Sequence, residues 1–420
     1  MDARESVGGG AAARGGAAPR GGEAPSGSPV EVGSVYVHAP FCVRRCVYCD
    51  FAVTVSATGD ADGWSEALGA ELDLVRREGT FTLAPLLETL YVGGGTPSLL
   101  GPRAMRSLCD LLGAERLSSP RLEWTAEANP ESFTAELATA WRIAGVNRVS
   151  VGVQSFHAPT LRWMGRLHGP EGAEVAVRTA RRAGLANVSI DLIFGLPASL
   201  GRSWTEDLER ALALEVPHVS LYGLSVESAT PLGRAVAEGR EPAVDEERYR
   251  EEFLEAAERL RHAGYEHYEV SNFARPGYAS RHNSAYWDGR PYLGLGNGAH
   301  SYAHPWRRWN VRDWGAYRSR LALGATPEEA RERLDEEAAA LERIWLGLRT
   351  ARGLPLARLG EEALELVERW GREGLAAVEA SRVSLTTLGW LGLDGLAVDL
   401  ARASAAPARG SPDATRARAG

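Results

Sequence analysis

The sequence contains no lysine, so all 47 of its basic residues are arginine. Against them stand 55 acidic residues, which gives a net charge of -8. A protein dedicated to a polyanion concentrates positive charge on its surface in order to displace counterions. The charge balance therefore argues against nucleic acid as a partner.

Long apolar runs are also missing. No uninterrupted apolar stretch approaches the length of a membrane span, and the N-terminal segment lacks the apolar core of a signal peptide. We therefore expect a cytoplasmic protein with no integral membrane segment. Gly, Ala, Pro and Ser are abundant in residues 1–32 and 401–420, a composition that predicts a disordered tail at each end.

Cysteine is scarce, with four residues in the chain, and three of them fall between positions 42 and 49. A disulfide framework would spread its partners over the fold. Cys42, Cys46 and Cys49 instead follow the spacing CxxxCxxC, which lets one loop hold three corners of a [4Fe-4S] cluster. The fourth iron would stay open to S-adenosylmethionine, which an electron from the cluster would cleave to a 5'-deoxyadenosyl radical.

A zinc site or a set of redox thiols is the alternative interpretation of these cysteines. Structural zinc requires four ligands in paired CxxC sets, and a fourth ligand is missing here. Cys109 is a poor candidate, because its helical spacing with Met105 and Leu112 is typical of a buried structural thiol. The spacing therefore favours the iron-sulfur cluster.

Short β-rich apolar runs alternate with helical stretches through the first half of the chain. The runs are SVYVHA, ETLYVGGG, RLEWTAEA, VNRVSVGVQSF, ANVSIDLIFGLP and HVSLYGLSVE. This alternation predicts an α/β fold of βαβ units with a parallel sheet or partial barrel. We place this core at residues 33–240, a barrel-closing extension at 241–327 and a small helical, winged-helix-like domain at 328–400.

In such a fold the active site lies at the carboxyl ends of the strands. The segment GGGTPS, residues 93–98, follows one predicted strand, and its glycines would let the backbone approach the amino group of S-adenosylmethionine. Glu127, Gln154, Arg166 and Asp191 are polar residues at or after strand ends, where they could bind ribose hydroxyls and the carboxylate. Each of the four, taken singly, could equally be a surface cap or a core hydrogen bonder.

Several motifs, in order along the chain, resemble those of the oxygen-independent coproporphyrinogen III oxidases and their relatives: YVHAPFCVRRCVYCDF, YVGGGTPS, VGVQSF, IDLIFGLP and YLGLGNGAHSY. The resemblance runs from about residue 35 to about residue 399. It implies a partial (β/α)6 radical S-adenosylmethionine barrel with a C-terminal helical domain. The cofactor contacts that it implies are Tyr36, Tyr48, Gly94, Gly95, Thr96, Glu127, Gln154, Arg166, Asp191 and Ser225.

This family has two branches, which differ just after the third cysteine. The oxidase branch reads CxxxCxxCxC, whereas this chain has Phe51 in place of the last cysteine. The other branch, haem chaperones, reads CDF there and also carries the motif HNxxYW, present here from His282 to Trp287. The resemblance therefore implies a chaperone that binds haem and transfers it to an acceptor protein, with an electron donor for the cluster.

The alternative function is the oxidase itself, which decarboxylates two porphyrinogen propionates oxidatively in porphyrin biosynthesis. The arginine-rich segment WRRWNVRDW, residues 306–314, could bind the substrate carboxylates, or it could be a solvated surface loop. Phe51 disfavours the oxidase, because it breaks the cysteine pattern of that branch.

The haem ligand candidates follow from the same resemblance. A neutral imidazole is a standard axial ligand for haem iron, and flanking aromatic rings can stack on a porphyrin. The candidates in the HNxxYW motif are His282, Tyr286 and Trp287. His282 could also be a hydrogen-bonded histidine that packs two loops together. His300 could face either the adenosyl group or the haem, and we expect His38 to support the cluster loop.

Overall fold

The computed structural model describes residues 28–405. The strands, in chain order, are β1 (Val30–Val32), β2 (Ser34–Ala39), β3 (Phe41–Cys42), β4 (Thr54–Val55), β5 (Phe81–Leu83), β6 (Thr89–Gly94), β7 (Glu123–Ala128), β8 (Arg148–Gln154), β9 (Asn187–Phe194), β10 (His218–Gly223), β11 (Glu266–Glu269), β12 (Asn272–Ala274), β13 (Leu293–Leu295), β14 (His300–Ala303), β15 (Trp306–Asn310), β16 (Glu328–Arg333), β17 (Leu354–Pro355), β18 (Ala376–Glu379) and β19 (Arg382–Leu385). The helices are α1 (Ala61–Glu78), α2 (Ala104–Leu112), α3 (Ala135–Ala144), α4 (Ala158–Met164), α5 (Gly172–Arg182), α6 (Trp204–Ala213), α7 (Pro231–Ala237), α8 (Glu246–His262), α9 (Arg281–Trp287), α10 (Trp314–Ala322), α11 (Glu336–Leu348), α12 (Glu361–Arg372), α13 (Thr387–Trp390) and α14 (Leu393–Ala405).

The centre of the fold is a parallel sheet in the order β10-β9-β8-β7-β6-β2. Its six strands coincide with the six runs predicted from the sequence, and helices connect them. The expected α/β fold with a partial (β/α)6 barrel is confirmed. Since all six strands are parallel, their carboxyl ends meet at one end of the barrel, which we call the barrel mouth.

Alternation along the strands separates an outer apolar face from a polar interior. Strand β2 places Val35 and Val37, both fully buried, on the outer face. Tyr36 points the other way, and its ring stacks on that of Tyr91, its register partner on β6, with the centroids 6.1 Å apart. The interior of the barrel is therefore lined by polar aromatic side chains.

The segment after β10 extends the sheet at both edges. Helix α8 buries Phe253, Ala256, Ala257 and Leu260 on one face, as their helical spacing predicts. Strand β12 then pairs antiparallel with β10, and β11 pairs with β12. Strand β13 pairs in parallel with β2 at the opposite edge of the sheet.

The last part of the chain differs in one place from what its sequence predicts. Strand β16 pairs with β15, so residues 328–333 complete the sheet β14-β15-β16 instead of joining the C-terminal helices. Helices α13 and α14 follow β19, and Leu393, Ala397 and Leu400 share a buried face of α14. Helices α11, α12 and α14 accompany the small sheet β17-β19-β18.

The predicted disordered tails lie mostly outside the described residues, since 1–27 and 406–420 are not among them. Residues 30–32, which the sequence assigned to the first tail, form β1 and pair in parallel with β5, because Val32 is fully buried. Residues 401–405 continue α14. Within residues 28–405, no helix has both the length and the apolar character needed to cross a bilayer.

Arg202 holds two loops at the barrel mouth. Its buried guanidinium donates to Glu252 at 2.5 Å and to Asp207 at 3.4 Å. Glu252 also accepts the backbone N–H of Gly195 at 2.7 Å, after β9, and Asp207 accepts that of Phe156 at 2.8 Å, after β8. One cation therefore compensates two buried carboxylates, each of which fixes a loop next to the candidate site.

We expect Arg202→Met to lower the free energy of unfolding by about 3 to 5 kcal/mol, because it leaves Asp207 buried without a counter-ion, whereas Glu252 keeps its pair with Arg248 at 2.9 Å. Chemical denaturation of the metal-free protein measures the change. The control is Arg76→Met, which removes an exposed pair with Asp73 and should cost less than about 1 kcal/mol. Equal losses in the two variants would contradict the role of Arg202.

Candidate functional site

The cysteine loop, residues 42–52, lies over the barrel mouth. Cys42 ends β3, which pairs with β4 and so closes the base of the loop. Backbone hydrogen bonds of Val47 also connect the loop to two helices. The N–H of Val47 donates to the carbonyl of Met164, at the end of α4, at 3.3 Å, and the carbonyl of Val47 accepts the N–H of Leu232, in α7, at 2.8 Å. His38 meets the carbonyl of Ala52 at 2.9 Å through Nε2, which is the supporting role expected for it.

A continuous set of polar contacts links the loop to three strand ends. Cys42 Sγ lies 3.3 Å from the hydroxyl of Thr96, which follows β6. Asn129, which follows β7, donates its amide to that hydroxyl at 3.1 Å and accepts from Arg166 at 2.7 Å. Arg166 in turn points Nη1 at the sulfur of Cys46 at 3.9 Å. The cysteine loop and the strand ends therefore form one polar site.

The end of β8 carries a strained residue beside Arg166. Gln154 has a φ of 68°, in the left-handed region that non-glycine residues seldom occupy. Arg166 donates to the carbonyl of Gly152 at 2.7 Å. A Cβ on Gly152 would lie 3.0 Å from Gln154 Nε2 and 3.3 Å from Arg166 Nη2, so both side chains crowd onto this glycine. Strain of this kind is common where side chains are held for a ligand.

The glycines after β6 are required by the protein's own packing. Gly94 has a φ of 105°, and a Cβ there would overlap the ring of His38. Gly95 donates its N–H to the carbonyl of Ala39 at 2.7 Å, and a Cβ on it would lie as close to that oxygen, at 2.7 Å. The glycine segment thus packs directly against the strand that leads into the cysteine loop.

Two carboxyl groups lie inside the barrel below this segment. Glu127 accepts from the hydroxyl of Tyr91 at 2.6 Å and from the N–H of Gly94 at 3.1 Å. Asp191 accepts from the hydroxyl of Ser150 at 3.1 Å. Burial raises the pKa of Glu127 to about 7 and that of Asp191 to about 6. Both groups are therefore poised to lose a proton when a cation or a hydroxyl donor arrives.

The remaining predicted contacts lie at the edges of the site. Tyr36 lies inside the barrel, with its hydroxyl 2.9 Å from His38 Nδ1. Tyr48 is part of the cysteine loop, and burial raises its pKa well above the ordinary value. Ser225 follows β10 and is half-buried, without a side-chain hydrogen bond among the described residues. The structure thus brings the predicted set to one end and the interior of the barrel.

The three thiols fit an iron-sulfur cluster by their chemistry, because soft sulfur ligands on one short loop are what such a cluster requires. Within residues 28–405, no three His, Cys, Asp or Glu side chains have the geometry to hold a metal ion as they stand. Burial raises the pKa of Cys42 and raises that of Cys49 to about 11, so a bound metal would have to displace the protons. Cys109 lies apart on α2, donating to the carbonyl of Ala144 at 3.2 Å, as expected for a structural thiol.

The HNxxYW motif forms α9, at the opposite end of the barrel from the cysteine loop. His282 is 1% exposed, and its two ring nitrogens lie 2.8 Å from the hydroxyls of Thr89 and Tyr286. The N–H of His282 donates to Glu123, which begins β7, at 2.9 Å. In this arrangement neither ring nitrogen of His282 is free to reach an iron.

The other haem candidates are divided between two places. Tyr286 packs edge-on against Tyr292 with centroids 4.5 Å apart, and Trp287 lies under the guanidinium of Arg349 at 4.2 Å. Both therefore belong to the packing around α9. His300 lies on β14, half-buried, with its ring stacked on Trp309 at 5.6 Å.

The sequence places Asn129 with Glu127 at the end of a strand but assigns it no contact, and the structure shows that it joins Thr96 to Arg166. The available signal was its position directly after β7, in the segment ANPES.

A loop with three free thiols over the mouth of a partial barrel, with glycines and polar side chains at the strand ends, defines a radical S-adenosylmethionine protein. Residues 36–211 match the family model of the radical SAM superfamily. The chain is 39% identical to "Heme chaperone HemW" of Mycobacterium tuberculosis over 373 residues, which is 88% of this chain and 94% of that one.

"Heme chaperone HemW" of Bacillus subtilis is 33% identical over 331 residues, 78% of this chain and 86% of that one. The chain belongs to the HemW family of radical S-adenosylmethionine proteins. The solved coproporphyrinogen III oxidase (HemN) from Escherichia coli shares the fold, with a TM-score of 0.72 over 89% of this chain and 90% of that one, at 22% identity. Membership of the superfamily implies a [4Fe-4S] cluster and S-adenosylmethionine.

We expect Arg166→Met to weaken S-adenosylmethionine binding by about 10- to 100-fold, since each charged hydrogen bond contributes about 1.5 to 3 kcal/mol. Equilibrium binding to the cluster-reconstituted protein measures the change. Arg162→Met, which changes an exposed arginine of α4 four residues earlier, is the matched control and should bind as the wild type does. Equal affinities of the two variants for S-adenosylmethionine would contradict a role of Arg166 in binding it.

The raised pKa of Glu127 predicts a pH dependence in the cluster-free protein. The folded state holds this proton up to about pH 7, whereas an unfolded glutamate releases it near about pH 4.3. The stabilisation is therefore complete below about pH 4.3 and is lost as the pH rises through about 7, by on the order of 4 kcal/mol. Glu127→Gln should flatten this fall in the free energy of unfolding.

The control for this measurement is Glu131→Gln. Burial alone would raise the pKa of Glu131, but the hydrogen bond from His168 lowers it. The effect of Glu131 on the pH dependence of stability therefore has the opposite sign to that of Glu127. Denaturation curves recorded from about pH 4 to about pH 8 decide the matter. If the Glu127→Gln and wild-type profiles run parallel, the carboxyl does not titrate as its burial predicts.

Proposed function

We propose that this protein is a haem chaperone, which binds haem together with a cluster and S-adenosylmethionine and passes the haem to an acceptor protein. Two relatives named heme chaperones match 88% and 78% of the chain. Phe51 carries the assignment within the chain, because it replaces the cysteine that marks the oxidase branch. The oxidase of known structure, at 22% identity, supports the fold alone.

In this proposal the cluster is bound by Cys42, Cys46 and Cys49, and it supplies, when bound with S-adenosylmethionine, an electron for reductive cleavage of the sulfonium. Arg166 points its guanidinium at the sulfur of Cys46 from 3.9 Å. Thr96 offers its hydroxyl to the sulfur of Cys42. These two residues would therefore contact the ligand set from the strand ends.

The proposed contacts to S-adenosylmethionine lie on the barrel side of the loop. The backbone of Gly94 and Gly95 lines the approach to the amino group, and Gln154 lies in its strained conformation beside Arg166. Glu127 and Asp191 would accept hydrogen bonds from hydroxyl groups and compensate the positive charge of the sulfonium. Tyr36, Tyr48 and Ser225 complete the proposed contact set.

The partners are a haem donor or free haem, an acceptor protein and an electron donor for the cluster, and we place the protein in the cytoplasm. Phe51 is 52% exposed within the cysteine loop. Arg45 fixes that position by donating to the carbonyl of Phe51 at 3.1 Å. An apolar side chain held at the surface here can meet a porphyrin or a partner protein.

A paired assay on one anaerobic, cluster-reconstituted preparation tests the proposal. We expect the protein to take up about one equivalent of haem and to release it to a haem-depleted acceptor. Incubation with coproporphyrinogen, S-adenosylmethionine and a reductant should yield no protoporphyrinogen.

An oxygen-independent coproporphyrinogen III oxidase run in parallel is the positive control. If this chain formed protoporphyrinogen and took up no haem, the chaperone function would be rejected in favour of the oxidase function.

A further inference from the structure

Large apolar side chains are exposed around the three thiols. Val43 follows Cys42 in the chain, Val55 is the register partner of Cys42 on β4, and Phe51 lies two residues after Cys49. The exposed fractions are 38% for Val43, 52% for Phe51 and 60% for Val55. Single exposed apolar residues are ordinary on a protein surface, whereas a group of them in one place marks a contact site.

A fourth exposed apolar side chain borders the loop from the segment after α4. Leu167 is 44% exposed and follows Arg166, which points at the sulfur of Cys46. Val43, Cys46 and Leu167 line the same depression, whose cavity of about 20 Å³ has room for about one water molecule. This part of the surface is therefore shaped for contact with another surface and does not enclose a small molecule.

The same loop carries positive charge. Arg44 and Arg45 are exposed, and neither forms an ion pair with a carboxylate within residues 28–405. The stem of Arg44 packs beside the turn after α4, since a Cβ on Gly165 would lie 3.5 Å from Arg44 Cδ. Asp50 is the one acidic residue of the loop, and its carboxylate already lies 3.4 Å from the guanidinium of Arg312. The loop is therefore locally basic in a chain of net charge -8, and it attracts an acidic partner.

Hydrogen bonds to the backbone give this surface a fixed shape. The carbonyl of Phe51 accepts from the guanidinium of Arg45 at 3.1 Å and from the N–H of Val53 at 2.9 Å. Arg312 donates to the carbonyl of the preceding residue, Asp50. The loop backbone is therefore ordered before a partner arrives, which lowers the entropic cost of binding.

The position of this surface indicates what kind of partner it meets. We call it the loop face, and its residues are Val43, Arg44, Arg45, Phe51, Val55 and Leu167. The thiols beneath it are half-buried, so they lie close to solvent. Because electron transfer slows steeply with distance, a protein that supplies electrons to the cluster has to dock where the thiols come nearest to the surface. Arginine and aromatic side chains are also enriched at the centres of protein interfaces.

We infer that the loop face is the docking surface for an acidic one-electron carrier protein. Carboxylates of the carrier would meet Arg44 and Arg45, and the apolar rim of its cofactor would contact Phe51. The carrier is oxidised by one electron and the cluster is reduced by one, with no bond formed or broken. This inference rests on the cluster and the electron donor of the proposed function, and it does not depend on haem binding. Redox encounters of this kind bury less than about 1,200 Å², so we expect weak binding that salt weakens further.

Stopped-flow absorption measures how fast the cluster-reconstituted protein is reduced, with reduced flavodoxin, an acidic flavoprotein, as the probe. The wild-type rate constant should fall as the ionic strength rises. Arg44→Glu should lower it about tenfold at low ionic strength, and the difference should shrink at high ionic strength. Arg178→Glu, which makes the same charge change at an exposed arginine of α5, is the matched control and should react as the wild type does.

A small reductant separates docking from damage to the cluster. The methyl viologen radical is a cation that needs no docking surface, so it should reduce Arg44→Glu at least as fast as it reduces the wild type. Phe51→Ala should lower the rate with flavodoxin about fivefold at low and high ionic strength alike, because salt does not screen an apolar contact. Calorimetric binding of oxidised flavodoxin should weaken in both variants, which gives a readout independent of electron transfer.

Equal rates of Arg44→Glu and Arg178→Glu with flavodoxin would overturn the inference. So would a wild type that methyl viologen reduces and flavodoxin does not. If Arg44→Glu were reduced normally but failed to pass haem to an acceptor protein, the loop face would belong to the acceptor and the inference would be wrong. A wild type that takes up no haem would overturn the chaperone function and leave this inference standing, whereas a wild type that binds no cluster would overturn both.

Discussion

The site depends on how the cysteine loop is held over the barrel mouth. A loop of three thiols between two-residue strands has little structure of its own, and it is fixed from outside instead. His38 and Asn297 meet the carbonyl of Ala52 behind it, and Val47 forms backbone hydrogen bonds with α4 and α7. Side-chain contacts through Thr96 and Arg166 then join the thiols to the strand ends. Rearrangement of the thiols around a cluster is therefore confined to the loop itself.

Arginine carries every fixed side-chain cation in this chain, and the structure uses its several donors. Arg166 reaches an amide oxygen, a backbone carbonyl and a sulfur at once, and Arg202 serves two carboxylates. A lysine has a single ammonium and could not span these partners in one geometry. The absence of lysine, which looks like a compositional feature in the sequence, is thus compatible with several multidentate buried contacts.

The sequence predicts what repeats locally, and it does not predict what depends on distant partners. The six barrel strands were found because apolar β-branched runs alternate with helices, and the glycines and thiols because their spacing is specific. Strand β16 was missed because EEARER has no apolar alternation and is stabilised by ion pairs with β15, such as Arg307 with Glu332. The contacts of Asn129 were missed because an amide acquires its meaning only from the two side chains that it joins.

The HNxxYW motif is joined to the candidate site by a network of buried contacts. Glu123 accepts the N–H groups of Arg281 and His282, which stabilises the start of α9 at the amino ends of the strands. His282 then stacks on Tyr91 at 5.1 Å, and Tyr91 donates to Glu127. The motif is therefore connected through one tyrosine to a carboxyl group of the site. Because buried networks of this kind lose stability when one member is removed, a substitution at His282 would disturb Glu127 even though the two residues do not touch.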